Sequence, residues 1–492
     1  MSAESAPFAE SKIPLAESGQ QERLRRGALG IFDISAATMA NIGPAMSFFF
    51  GFGFLAFTAG VASPLTIVAA IIAVALLGNT LAQFSRAQPS TGGFITFVGK
   101  TFGGTSAVTT ALLAGAGYII AIASVLCICG GFLSIMLHYY LGWNVPWIVF
   151  SLLMTAGAIV MMIRGVAVST KLAGLFFGFE LLVLLVLAIA SLIKNGGHLS
   201  GAPFNPHNFT GGFGGAAAGF PLAVYLFIGW ENSAALAEET NDPRRNVPRA
   251  VYLSIALMGV LYLLLTYSTV IGFHDNAKAI AGAPSGIPLL DLAHNIAPWL
   301  LVIGYLAGLT STTGVLISAV NSQCRLIFNA GREGLLPRWI GRVHPTRRTP
   351  VNAIFTFIAV GGAIIAGWAL GHLIGGQTGT MVSLNFYGES ATMGTILILV
   401  VYFLANLALP FYYRKYRPAE FNVVKHAILP VLGMVAIAIP IYYLSKPPQP
   451  QPYFWFPYVA LGVIAASVIY SIILVRRDPG IGGRVGSIVA DE

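Results

Sequence analysis

Apolar positions in this chain come in long blocks, not in the alternating pattern of strands or the one-sided stripe of a surface helix. Residues 34–85 contain no Asp, Glu, Lys or Arg, and neither do residues 101–163. A membrane-spanning helix needs about 20 mostly apolar residues. Blocks this long therefore read as several spans joined by tight turns. Twelve spans are predicted, centred near Pro44, Val74, Ile122, Met154, Leu185, Phe227, Leu261, Val315, Ala359, Leu397, Ala436 and Ile464. The longest polar connections, near residues 195–214 and 330–350, are too short for a further folded domain. The expected fold class is an all-α polytopic membrane protein with 12 transmembrane helices.

Composition removes a competing class. Of 492 residues, 56% are hydrophobic and 9% charged, with a mean hydropathy of +0.78. Soluble domains carry about 25% charged residues, so a water-soluble enzyme is excluded. The net charge of +9 could suggest nucleic acid, but sidedness accounts for it. With the amino terminus inside and twelve spans, only Lys194, Lys278 and Lys446 of the 27 basic residues fall outside. That is the positive-inside pattern. No nucleic-acid partner is expected. Both tails, residues 1–26 and 477–492, are expected in the cytoplasm, with Arg23, Arg25 and Arg26 just before the first span. No apolar run and cleavage site of a secretory signal opens the chain, so the first tail should be retained.

Metal or thiol chemistry finds little support. Cys127 and Cys129 fall in an apolar run, and Cys324 stands apart. A Cys-x-Cys pair with no second pair is a weak zinc signal. The eight histidines lie at span ends or in loops, and no HExxH occurs. No cofactor is expected.

Two spans are interrupted. The middle of the first reads Ala40-Asn41-Ile42-Gly43-Pro44-Ala45-Met46. Gly and Pro weaken a helix, and backbone groups freed in lipid must find partners in protein or a cavity. Pro44 suits the first turn of a new half-helix. The amides of Ala45 and Met46 would then point into the break, where the positive helix end favours a carboxylate. The carbonyls of Asn41 and Ile42 would attract a cation or ammonium. A plain proline kink is the alternative. The sixth span reads Tyr225-Leu226-Phe227-Ile228-Gly229-Trp230-Glu231-Asn232, with Gly229 beside a carboxylate and two large aromatics. Breaks five spans apart are the spacing of two inverted repeats, and paired interruptions point to a transport site.

Three motifs carry a resemblance. They are Gln88-Pro89-Ser90-Thr91-Gly92-Gly93-Phe94 with Phe102-Gly103, the run FIGWENSAALAEETNDPRRNVPRA from Phe227 to Ala250, and Asn321-Ser322-Gln323-Cys324-Arg325 running on to Gly331-Arg332-Glu333-Gly334-Leu335-Leu336-Pro337. With these the chain resembles the amino acid–polyamine–organocation (APC) permeases. The resemblance implies a LeuT-type fold: inverted repeats over residues 27–197 and 198–412, then two peripheral helices over 413–476. It also implies a substrate between the breaks, on Gly43, Pro44, Ala45 and Met46 for its carboxylate, and on carbonyls that include Phe227 and Ile228 for its amine. The family usually has a Gly-rich first break. Here Pro44 and Ala45 replace part of it, so one amide is missing.

Ionisable residues inside spans are functional candidates. Glu231 matches a family position linked to proton sensing and gating; the alternative is a carboxylate that caps the half-helix and bonds its neighbours. Glu180 stands where some proton-coupled members carry a Lys that replaces a coupling sodium, so an amine mechanism does not transfer. Glu180 is left to bind a cation, carry the proton, or pair with a polar group of span one or eight. Glu389 lies near the outside. Glu238 and Glu239 lie where the sixth span reaches the cytoplasm, near Arg244, Arg245 and Arg249, and could form closing ion pairs. Tyr118, Tyr225, Phe227 and Trp230 are candidate gates; Tyr225 matches a family position that stacks over substrate. Thr310, Ser311, Thr312 and Thr313 in span eight could supply hydroxyls to a sodium site, with Thr312 and Thr313 favoured, or could simply pack.

The expected function is secondary active transport of an amino acid or related organic amine, coupled to protons or sodium or run as exchange. A polyamine or decarboxylated-amine exchanger is the alternative; an enzyme, a channel or a sensor finds no motif. The expected location is a plasma membrane, of the bacterial inner-membrane type.

Overall fold

The computed structural model describes residues 27, 29–90, 92–163, 166–346, 349–374, 382–446 and 451–485. The expected amino-terminal tail, residues 1–26, lies outside them, as does part of the carboxy-terminal one. The described residues are helical, and two isolated bridges, Leu29 with Thr240 and Gly60 with Phe209, replace any strand among them.

Ten helices in the described residues are long and apolar enough to cross a membrane. In chain order the helices begin with α1 (Ile31–Ile42) and α2 (Pro44–Ala59), which share one span, then α3 (Ser63–Ala87), α4 (Phe94–Phe102) and α5 (Gly104–Leu141). Next come α6 (Trp147–Ile163), α7 (Val166–Lys194), α8 (Phe213–Tyr225), α9 (Asn232–Ala235) and α10 (Pro243–Gly272). The chain continues with α11 (Ala277–Ala281), α12 (Pro288–Ile296), α13 (Pro298–Glu333), α14 (Val351–Ile374), α15 (Val382–Tyr416), α16 (Leu429–Ser445), α17 (Phe456–Arg477) and α18 (Ile481–Arg484). Two expected spans fall on shorter apolar helices, α6 and α8. The reason is local for α8: it stops at Tyr225, where the chain leaves helical geometry around Gly229.

Packing separates a dense centre from apolar flanks. Helix α15 lies along α5, α10 along α3, and α13 along α7. Small residues allow the first of these to approach closely: a Cβ on Gly394 would stand 2.8 Å from the Gly117 carbonyl oxygen. Close backbone approach through small residues is how helices pack where no hydrophobic drive separates protein from lipid. Helices α1 and α2 are deeply enclosed, as α5 is, with Ile34, Ala45, Phe52, Leu55 and Ala56 fully buried. By contrast α16 and α17 turn Val431, Leu432, Val435, Leu461, Ile469 and Ile473 outward. Apolar faces of this kind are stable against lipid and costly against water.

Candidate functional site at the paired helix breaks

The first break is one residue long. Gly43 adopts φ +61 and ψ +74, ends α1 with its amide on the Met39 carbonyl (3.0 Å), and hands the chain to Pro44 at the start of α2. Only glycine takes this conformation without strain. There is also no room for more: a Cβ there would fall on Cγ2 of Val315 in α13. Pro44 offers no amide. The next two amides leave their own helix for neighbours. Ala45 N–H donates to Oε2 of Glu180 in α7 at 3.3 Å, and Met46 N–H donates to Oγ of Ser311 in α13 at 3.0 Å. Ser47 N–H returns to the Gly43 carbonyl at 2.8 Å, and its hydroxyl donates to the Ile42 carbonyl at 2.8 Å.

The second break is a run of tight turns from Leu226 to Glu231. Its bonds span three residues rather than four: Phe227 to Val224 (3.0 Å), Ile228 to Tyr225 (3.0 Å), Trp230 to Phe227 (3.1 Å) and Asn232 to Gly229 (3.1 Å). Gly229, at φ +109, is the point of greatest distortion. Glu231 folds back to accept the Gly229 amide on Oε2 at 3.2 Å, and its Oε1 accepts the Tyr118 hydroxyl of α5 at 2.6 Å. The carboxylate thus works as a local clamp on its own turn.

The two breaks touch. Asn41 Nδ2 donates to the Gly229 carbonyl at 3.5 Å, and Asn232 Nδ2 donates to the Ala37 carbonyl at 3.3 Å. A Cβ on Gly229 would come within 3.2 Å of the Asn41 backbone carbonyl. Both asparagine Oδ1 atoms are buried and accept nothing. Glu180 and Glu231 are also buried, and among the described residues neither has a basic partner. A buried charge without a counter-charge is costly, so the centre of the bundle is short of positive charge.

Cavities flank this centre on two sides. On the side of the second half of α2, a cavity of 680 Å³ is lined by Phe54, Thr58, Tyr225, Asn385, Thr392 and Tyr453, among others. On the side of α1 a separate cavity of 60 Å³ is lined by residues that include Asn41, Tyr118, Glu231 and Asn232, and beside it lies one of 160 Å³ that shares Gly92, Ile95 and Leu326 with it. Beyond it the chain is bolted. Arg325 of α13 pairs with Glu239 at 3.1 Å and also donates to the Ala235 carbonyl at 3.4 Å. Leu29 pairs its backbone with Glu239 and Asn241 at 3.0 and 2.9 Å.

The remaining expected residues separate into groups. Tyr225 lines the large cavity and meets Tyr387 edge-on at 5.9 Å. Phe227 and Trp230 are buried in packing, against Tyr262 (5.1 Å) and Tyr402 (5.5 Å) respectively, and line neither cavity. Ile228 is partly buried beside them. Thr312 and Thr313 turn their hydroxyls onto the Leu309 carbonyl of their own helix, at 3.1 and 2.8 Å. Glu389 accepts from Trp368 Nε1 at 2.7 Å. Glu239 meets Arg325, whereas the side chain of Glu238 lies outside the described residues. Sequence reasoning did not single out Ser311, Asn232 or Arg325. Each stood inside a quoted motif or quartet, but nothing local told it from its neighbours. Among the described residues no cluster of three or more His, Cys, Asp or Glu side chains could hold a metal.

Apolar spans around a buried pair of helix breaks define a polytopic membrane protein with a polar site at its centre. The chain belongs to the amino acid permease family, whose family model matches residues 29–475. It is 26% identical over 443 residues to the branched-chain amino acid permease BcaP of Bacillus subtilis, covering 86% of this chain and 88% of that one. It is 25% identical over 311 residues to the methylthioribose transporter of the same organism, covering 62% and 59%. To cationic amino acid transporter 4 of Mus musculus it is 26% identical over 379 residues, covering 70% and 55%. The protein is thus a permease and not an enzyme.

Proposed function

We propose that the chain is a secondary active transporter of an amino acid or related organic amine, working by alternating access on a LeuT-type scaffold. The carrying observation is the meeting of the two breaks between a 680 Å³ cavity on one side and the Arg325–Glu239 bolt on the other. Two interrupted helices meeting at a buried centre, with a cavity to one side and an ion pair to the other, form the kind of site that an alternating-access carrier uses. In this reading residues 27–197 and 198–412 are the inverted repeats and residues 413–476 add two peripheral spans. Both tails face the cytoplasm of a plasma membrane, so the large cavity opens outward. The relatives support the substrate breadth, since their names include branched-chain amino acids, cationic amino acids and methylthioribose.

For coupling, protons are favoured over sodium. The reason is Glu231, a buried carboxylate held by Tyr118 beside the small cavity, which can carry a proton. Counterflow in proteoliposomes is the test. Unlabelled substrate trapped inside should accelerate entry of labelled substrate. A flux that ignores trapped substrate would mean a channel, and the transport reading would fall.

A further inference from the structure

Every backbone amide that the first break could offer to a carboxylate is already taken. Gly43 is bonded to Met39, Pro44 has no amide, Ala45 donates to Glu180, Met46 donates to Ser311, and Ser47 donates to Gly43. The group on Ala45 is itself a carboxylate, 2% exposed, carried from α7 into the positive end of the half-helix α2. A helix amino terminus stabilises one anion well, and a second one placed there meets like-charge repulsion and no free donor.

The unused hydrogen-bonding capacity beside the breaks is of the opposite kind. Asn41 and Asn232 are 6% and 5% exposed, and each leaves Oδ1 without a donor. Their amide orientations are set, because each Nδ2 faces a backbone carbonyl, Gly229 and Ala37 respectively, which can only accept. An ammonium group brings three donors and a positive charge. Separately, the large cavity has hydroxyl, amide and aromatic walls, and among the described residues no charged side chain lines it.

We infer that Glu180 is a specificity-determining residue that occupies the anion site of the first break, so that the carrier selects organic amines lacking an α-carboxylate over the corresponding amino acids. This rests on the transport reading above and narrows its substrate class. The Glu180 carboxylate stands in for the substrate's own, and the ammonium supplies the charge that the buried carboxylates lack.

The test uses purified full-length protein and three matched pairs: leucine and 3-methylbutylamine, phenylalanine and 2-phenylethylamine, lysine and 1,5-diaminopentane. Ligand-induced thermal stabilisation gives apparent affinities, and counterflow in proteoliposomes reports transport. The wild-type chain should bind at least one amine tenfold or more tightly than its amino acid. Glu180→Ala frees the Ala45 amide and should reverse that order, with at least a tenfold gain for the amino acid. Glu180→Gln keeps an acceptor on that amide, so amino acids should stay excluded while amine affinity drops. A wild-type chain that prefers the amino acid in every pair overturns the inference, as does a Glu180→Ala chain that folds and gains nothing. If Glu180→Ala does not fold, the wild-type preference and the Glu180→Gln response decide. Amino acid counterflow without amine counterflow would sink this inference and keep the transporter; counterflow with neither series would sink both.

Discussion

The two breaks solve one problem in different ways. The first is a single left-handed residue whose freed amides are satisfied from outside, by Glu180 of α7 and Ser311 of α13. The second runs from Leu226 to Glu231 and satisfies itself, with short-range backbone bonds and the Glu231 carboxylate folded onto Gly229. An externally held break is tied to its neighbours and should move only with them. A self-held break carries its own bonds and can shift as a unit. Tyr118 and the two asparagine contacts are the hydrogen bonds that tie the turn of the second break to the surrounding described residues.

This contrast can be broken at four points. Gly43→Ala should be the most damaging. It forces a left-handed alanine at about 1–2 kcal/mol and a Cβ onto Val315 at about 1–3 kcal/mol. A loss of about 2–5 kcal/mol in the stability of purified protein, with uptake abolished, is expected. An unchanged Tm would show that α13 yields and that the first break is not set from outside. Tyr118→Phe comes next. Removing a 2.6 Å bond to a buried carboxylate should cost about 1.5–3 kcal/mol and leave Glu231 held only by its own turn. If the second break is self-held, the protein still folds and its thermal transition stays cooperative.

Gly229→Ala should cost about 1–3 kcal/mol, because φ +109 suits glycine and Asn41 must move aside. Restored stability in Gly229→Ala combined with Asn41→Ala would locate the clash in that contact. Ser311→Ala should cost about 1–2 kcal/mol, since it leaves the Met46 amide without its acceptor and takes a hydrogen bond from the Glu180 carboxyl group. A larger effect than that of Tyr118→Phe would invert the proposed hierarchy. Separately, Glu231→Gln should flatten the pH dependence of uptake; a retained wild-type profile would make Glu231 a structural clamp alone.

Much of the architecture was legible along the chain. Uncharged apolar blocks longer than a bilayer span are costly against water and stable in lipid, and ten of the twelve expected spans meet helices of spanning length. The positions of both breaks were legible too, because Gly43-Pro44 and Gly229 are poor helix formers inside apolar runs. The partners of the breaks were not. Glu180 could have met a cation, a hydroxyl or an amide, and its choice of Ala45 depends on how α7 lies against α2. Span eight offered four hydroxyls in a row. Which one turns away from its own helix was decided by rotation about the axis of α13, and that rotation brings Ser311, not Thr312 or Thr313, to the Met46 amide. The Arg325–Glu239 pair joins residues 86 apart, beyond the reach of local pattern.

What the sequence determined by itself is the membrane class and the places where helices must stop. These follow from transfer free energies and backbone sterics, which act residue by residue. What only the tertiary structure decided is who satisfies the interrupted backbone. That outcome depends on helix rotation and approach, sums of many weak contacts that no short motif encodes. The result is that a carboxylate of the protein accepts the Ala45 amide that the first break frees.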